Sequence, residues 1–127
     1  VAKNTNDGEN KMVYKVEDLP LAVQLELNPY PMADADGSYQ VGCVTSGLEP
    51  KPLSRLIFAA IANSENGLDC YVHFESGGFA HTYSARHFSM TSLTANKATL
   101  LAGSYVPQRC ENLEQLKAAL KAALAQE

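Results

Sequence analysis

Asn63-Ser-Glu-Asn-Gly-Leu-Asp-Cys-Tyr-Val-His-Phe-Glu-Ser-Gly-Gly78 is the stretch whose reading decides the fold. Leu68, Cys70, Val72 and Phe74 alternate with Asp69, Tyr71 and His73. That period places the apolar set on one side of a strand and the polar set on the other. A small polar loop stands at each end. Each loop carries one carboxylate (Glu65, Glu75), at least one Ser and a Gly, and both read as displayed outward.

Downstream, Ser76-Gly-Gly-Phe79 is hairpin chemistry. Residues 80–90 run back as a long strand, 94–97 turn, and 98–106 form a last strand closed by Pro107. Asn112 with Gln115 three residues later is a capping-box pattern, so a helix begins there, with Leu113, Leu116, Leu120 and Leu124 as its buried stripe.

Upstream, Leu53, Leu56, Ile57, Ala60 and Ile61 repeat at helical spacing, with Pro52 suited to the first turn, and predict a helix ending within 63–67. Tyr39, Val41 and Cys43 share one face of a strand that follows a turn at 33–37. Val23, Leu25 and Leu27 alternate with Gln24 and Glu26 and predict a half-buried strand over 22–27. Residues 12–16 make a shorter one. Residues 1–11 read as a disordered leader ahead of one domain over 12–127. The expected fold is α+β: an antiparallel sheet of about five to six strands, with both helices packed on one face. The other face would present Gln24, Glu26, Tyr71 and His73.

The net charge of −4 over 127 residues argues against a nucleic-acid surface, which needs a basic face. No apolar run is long enough to span a bilayer. The chain starts Val1-Ala-Lys without Met or a signal-like segment. The mature product of an exported precursor and a trimmed cytosolic protein both fit that start. The three cysteines favour export to the periplasm or beyond. Cys43–Cys110 or Cys70–Cys110 would each tie the last helix to the sheet, and three free thiols remain open as well.

The motifs for catalysis fall short one by one. His81 and His87 are six residues apart on one strand, roughly 20 Å at strand rise, too far to share an ion. Asp34-Ala-Asp-Gly37 echoes a calcium loop, but Met32 and Cys43 stand where that loop needs oxygen ligands. Cys70 lies on the apolar strand face and reads as a structural thiol. Glu65 and Glu75 stand at opposite ends of one strand, more than roughly 20 Å apart, beyond any glycosidase pair. Glu-Ser-Gly-Gly opens a hairpin instead of a helix and is followed by no Lys, so it makes no phosphate cradle. No cofactor, metal or catalytic set is expected.

What remains is a binding protein. Its expected contact residues are the loop groups Asn63, Ser64, Glu65, Asn66, Glu75, Ser76, Glu111 and Asn112. The carboxylates would bring complementary charge to a basic cleft. In size, acidity, apparent signal removal and loop chemistry such as Asn63-Ser-Glu-Asn66, the chain resembles the periplasmic immunity proteins that neutralise peptidoglycan-degrading type VI secretion effectors, the muramidase type above all. It differs from the lysozyme inhibitors with a Ser-Gly-Ser-Gly-Ala-Arg-Tyr loop, since Ser76-Gly-Gly-Phe-Ala-His-Thr-Tyr83 lacks the Arg and the spacing. The resemblance implies loops that plug a hydrolase cleft, a hydrolase partner and no activity of the chain's own. The alternative is a cell-envelope module that binds peptidoglycan, loosely similar to the septal SPOR type through Tyr39-Gln-Val-Gly42 and the last strand and helix.

Overall fold

A computed structural model of the chain describes residues 10–27, 32–40, 51–65, 67–78 and 80–126. In chain order its elements are β1 (Lys11–Val13), a 3-10 turn (Val16–Asp18), α1 (Leu21–Leu27), β2 (Met32–Ala33), β3 (Ser54–Ser64), β4 (Gly67–Ser76), β5 (Thr82–Met90), β6 (Thr99–Val106) and α2 (Leu113–Ala125). They form a six-stranded sheet in the order β1-β3-β4-β5-β6, and β2 also pairs with β3. All neighbours are antiparallel except β2, which runs parallel to the start of β3. The α+β class, the antiparallel sheet and the pair of helices agree with the expectation.

The expected strand over 22–27 is instead α1. Pro20 supplies its entry: the Pro20 carbonyl accepts the amides of Val23 and Gln24 at 2.9 and 3.0 Å. The Gln24 side-chain Nε2 donates to the Leu19 carbonyl at 2.8 Å. Ala22, Val23 and Leu27 are buried, while Leu21 and Leu25, one turn apart, face solvent. The alternation therefore grouped Leu25 with the wrong partners. Seven residues are too few for a period of 2.0 to be told from 3.6.

The expected helix at 53–61 is β3, the central strand. Its run of Leu56 through Ile61 is buried on both faces, which erases alternation and leaves a continuous apolar run. A helical spacing is always present inside such a run. The register shifts between Leu56 and Phe58, so Ile57 is bulged. Leu53, expected in the buried stripe, is exposed.

The helices cover opposite faces of the sheet, not one. Val23 and Leu27 of α1 pack with Leu56, Ala59, Cys70, Val72 and Phe88. Leu116 and Leu120 of α2 pack with Phe58, Ala85 and Val106 on the other side. Two apolar faces on the central strands demand two covers. Leu56, Phe88 and Leu116 are at most 1% exposed, and each such burial stabilises the fold by about 1.5–3 kcal/mol. His73, expected outward, is fully buried because its face lies under α2.

β4, β5, β6 and α2 lie close to the expected bounds. At the start of α2 the Asn112 side chain accepts the Gln115 amide at 2.9 Å. The Gln115 side chain reaches back to the Glu111 amide at 2.9 Å, one residue before the cap. Leu124, at the end of the expected stripe, is exposed. Tyr39 sits in an irregular segment; Val41 and Cys43 lie outside the described residues, as does the expected leader apart from its last two residues. Of these, Lys11 already pairs with Ile61. Among the described residues no helix is long and apolar enough to cross a membrane.

Candidate functional site

The two loops that flank β4 differ in what they leave free. At the β3–β4 end, Ser64 pairs with Gly67, so residues 65–66 form the whole connection. Gly67 has φ +145°, and a Cβ there would stand 2.3 Å from the Met90 carbonyl oxygen. Only glycine permits this approach, and it braces the tip against the end of β5. Asn63 and Glu65 are exposed and Ser64 is half-buried; Asn66 lies outside the described residues. Among the described residues no group pairs with the Glu65 carboxylate.

At the other end Glu75 is not displayed at all. It is 3% exposed. Arg55 places Nε and Nη2 at 3.0 and 2.9 Å from its Oε2. The Tyr39 hydroxyl donates to Oε1 at 3.0 Å, and His81 Nε2 lies 2.9 Å from the same oxygen. Arg109 Nη1 stands off Oε2 at 3.7 Å. Burial alone would push the Glu75 pKa up. Hydrogen bonds from His81, Arg55 and Tyr39 outweigh it and hold the carboxyl below its usual range. The Arg55 guanidinium also lies 4.4 Å over the Tyr39 ring and donates to the Gly37 carbonyl at 3.2 Å. The cluster thus latches the 37–39 segment to β3, β4 and the β4–β5 connection. A carboxylate whose two oxygens already take four close donors has little basicity left for catalysis.

His81 reaches Glu75 because the β4–β5 connection is longer than a two-residue turn. Ser76 pairs with Thr82, so residues 77–81 form the loop, and Phe74 faces Ser84. Ser76 is itself engaged, its hydroxyl 2.8 Å from that of Ser54.

Beneath α2, the His73 Nδ1–H donates to the Ser84 carbonyl at 2.8 Å, and Nε2 accepts the Cys110 amide at 3.0 Å. That pattern fixes the neutral tautomer. Burial holds the imidazole below its ordinary pKa. His73 so anchors the approach to α2, where Glu111 and Asn112 are exposed but Asn112 already serves as cap. Cys70 and Cys110 are free thiols in the clusters on opposite sheet faces, so they do not pair with each other. Burial pushes Cys70 up to about 12, and burial with Glu111 raises Cys110, so neither is a ready nucleophile. Cys43 lies outside the described residues.

No protein-family model, curated protein or solved structure matches the chain.

Of the expected contact residues, the fold brings Glu75, Ser76, Glu111 and Asn112 to one end of the sheet and Asn63, Ser64 and Glu65 to the other. Arg55, Tyr39, His81 and His73 are the polar residues that sequence spacing did not assemble. Arg55 was hidden by the helical reading of its segment. The parity of the hairpin loop, which sets His81 beside Glu75, depends on a loop length that Gly77-Gly78 does not specify. Among the described residues, no group of three or more His, Cys, Asp or Glu is arranged to hold a metal ion.

Proposed function

We propose that the chain is an exported binding protein that blocks a cell-wall hydrolase, and that the β3–β4 tip is the element that enters the hydrolase cleft. One observation carries the reading. Glu65 is an exposed carboxylate on a two-residue connection, braced through Gly67, with no partner among the described residues. A connection this short between paired strands has little backbone freedom to lose when it docks. The latch withdraws Glu75 from contact; of the two expected carboxylates that stay exposed, Glu65 and Glu111, only Glu65 stands at a short connection between paired strands, beside Asn63 and Ser64. An acidic tip on a chain of net charge −4 suits a cleft lined by basic residues. The protein acts by occupancy and has no chemistry of its own.

The experiment mixes the purified chain with peptidoglycan hydrolases, muramidases first. A stoichiometric complex that abolishes hydrolysis, and that Glu65→Lys weakens at least tenfold, is the expected result. Pelleting with purified peptidoglycan while every hydrolase stays active would replace this reading with a wall-binding module.

A further inference from the structure

The edge formed by β6 is built from residues separate from the β3–β4 tip. Among the described residues β6 pairs on one side only, with β5. Its eight residues, Thr-Leu-Leu-Ala-Gly-Ser-Tyr-Val, include no charge and no proline. Natural sheet edges are normally guarded by such residues, because bare N–H and C=O groups recruit another strand. Here the edge instead exposes Leu100, Leu101 and Tyr105, the last at 71%.

Gly103 adds a separate observation. Among the described residues a Cβ at that position would meet Arg86 Cγ first, at 3.5 Å, and the Gly103 φ is not in the left-handed region. Among the described residues no contact requires glycine there, although glycine weakens a strand. A strand glycine often marks a bulge or the close approach of another group, and Gly103 lies two residues past the bulge at Leu101. Gly103 pairs with Arg86 and Tyr105 with Ser84, which sets both on the α1 face of the sheet. Leu101 is bulged, so regular alternation runs from Ala102 to Val106.

We propose that β6 pairs antiparallel with β6 of a second copy about a two-fold axis at Ser104. This register keeps every residue on its own face. It sets Gly103 opposite Tyr105 twice, each exposed ring covering the other copy's glycine, a known means of stabilising edge glycines. Ala102 then faces Val106. A copy of the chain is the fitting occupant because the edge is self-complementary and neutral, so two molecules of net charge −4 meet where neither bears charge. Beside Ser104, Tyr105 and Pro107, the small Ala119, Ala122 and Ala123 of α2 line a groove of about 450 Å³. The result is a continuous sheet across two molecules.

Sedimentation equilibrium over a concentration series tests this. The mass should rise from 13.7 kDa toward twice that value. Tyr105→Lys should hold it at the single-chain value with an unchanged circular dichroism spectrum. Ser104→Cys should cross-link two chains under mild oxidation, since directly opposed residues lie about 4.5–5.5 Å apart, whereas wild type and Thr99→Cys should not. Should Tyr105→Lys fail to fold, the Ser104→Cys cross-link decides alone. A wild type that stays monomeric at all concentrations, or a dimer that persists in Tyr105→Lys without a Ser104→Cys cross-link, overturns the proposal.

Discussion

Glu75 was legible as a loop carboxylate, yet its environment makes it architecture. Arg55, Tyr39 and His81 surround it, and its charge is satisfied inside the protein. Glu75→Gln removes the counter-charge from Arg55 and should destabilise the fold by roughly 3 kcal/mol in urea titration at neutral pH. Because the folded carboxyl sits below its ordinary value of about 4.5, its contribution is present above that pH and is lost as pH falls through the folded value. His73 acts earlier on the same descent. Its folded pKa lies below the ordinary value of about 6.5, so the unfolded chain takes up the proton first. Stability is then full above that value and declines as pH falls from it. His73→Asn should flatten the urea-midpoint decline just below pH 6.5 and leave the later loss in place; an unchanged profile would remove His73 as its source. Neither role was legible, because an alternating pattern reports only which side a residue takes, and α2 buried the side expected to be wet.

At the scale of elements, the hairpin of β3 and β4 is the stiff unit that presents the tip. Gly67 is its structural key, with positive φ and backbone from Met90 and Thr91 against it. Gly67→Ala should cost about 2 kcal/mol or more and should show as faster amide exchange at Ser64 and Leu68, with the α2 amides unaffected. Residues 67–76 were legible as a strand because one buried and one half-polar side gave a clean alternation. α2 was legible because Asn112, Gln115 and three buried leucines agree on one helix start and one stripe. α1 and β3 exchanged types for opposite reasons. α1 is one short segment with two exposed leucines, whereas β3 is apolar on both sides, and in neither does the apolar pattern carry a period.

For the whole molecule, the separation of the two loop sets matters most. β4 holds ten residues between them, about 30 Å at strand rise, so one cleft of ordinary width meets only one end. With the tip as the contact, Glu65→Lys weakens hydrolase binding while Glu111→Lys, at the far end, leaves it within twofold; the reverse pattern in calorimetric titration would move the interface to the α2 end. The sequence by itself determined the class of fold, the β4–β6 meander, the capped C-terminal helix and the exposed carboxylate at residue 65. Local periodicity, turn residues and capping chemistry act over a few residues and can be read there. Only the tertiary structure decided which apolar run became the central strand, on which face each helix lies, and that Glu75 is locked among Arg55, Tyr39 and His81. Those outcomes depend on burial from both sides and on loop length, which are properties of segments meeting far apart in the chain.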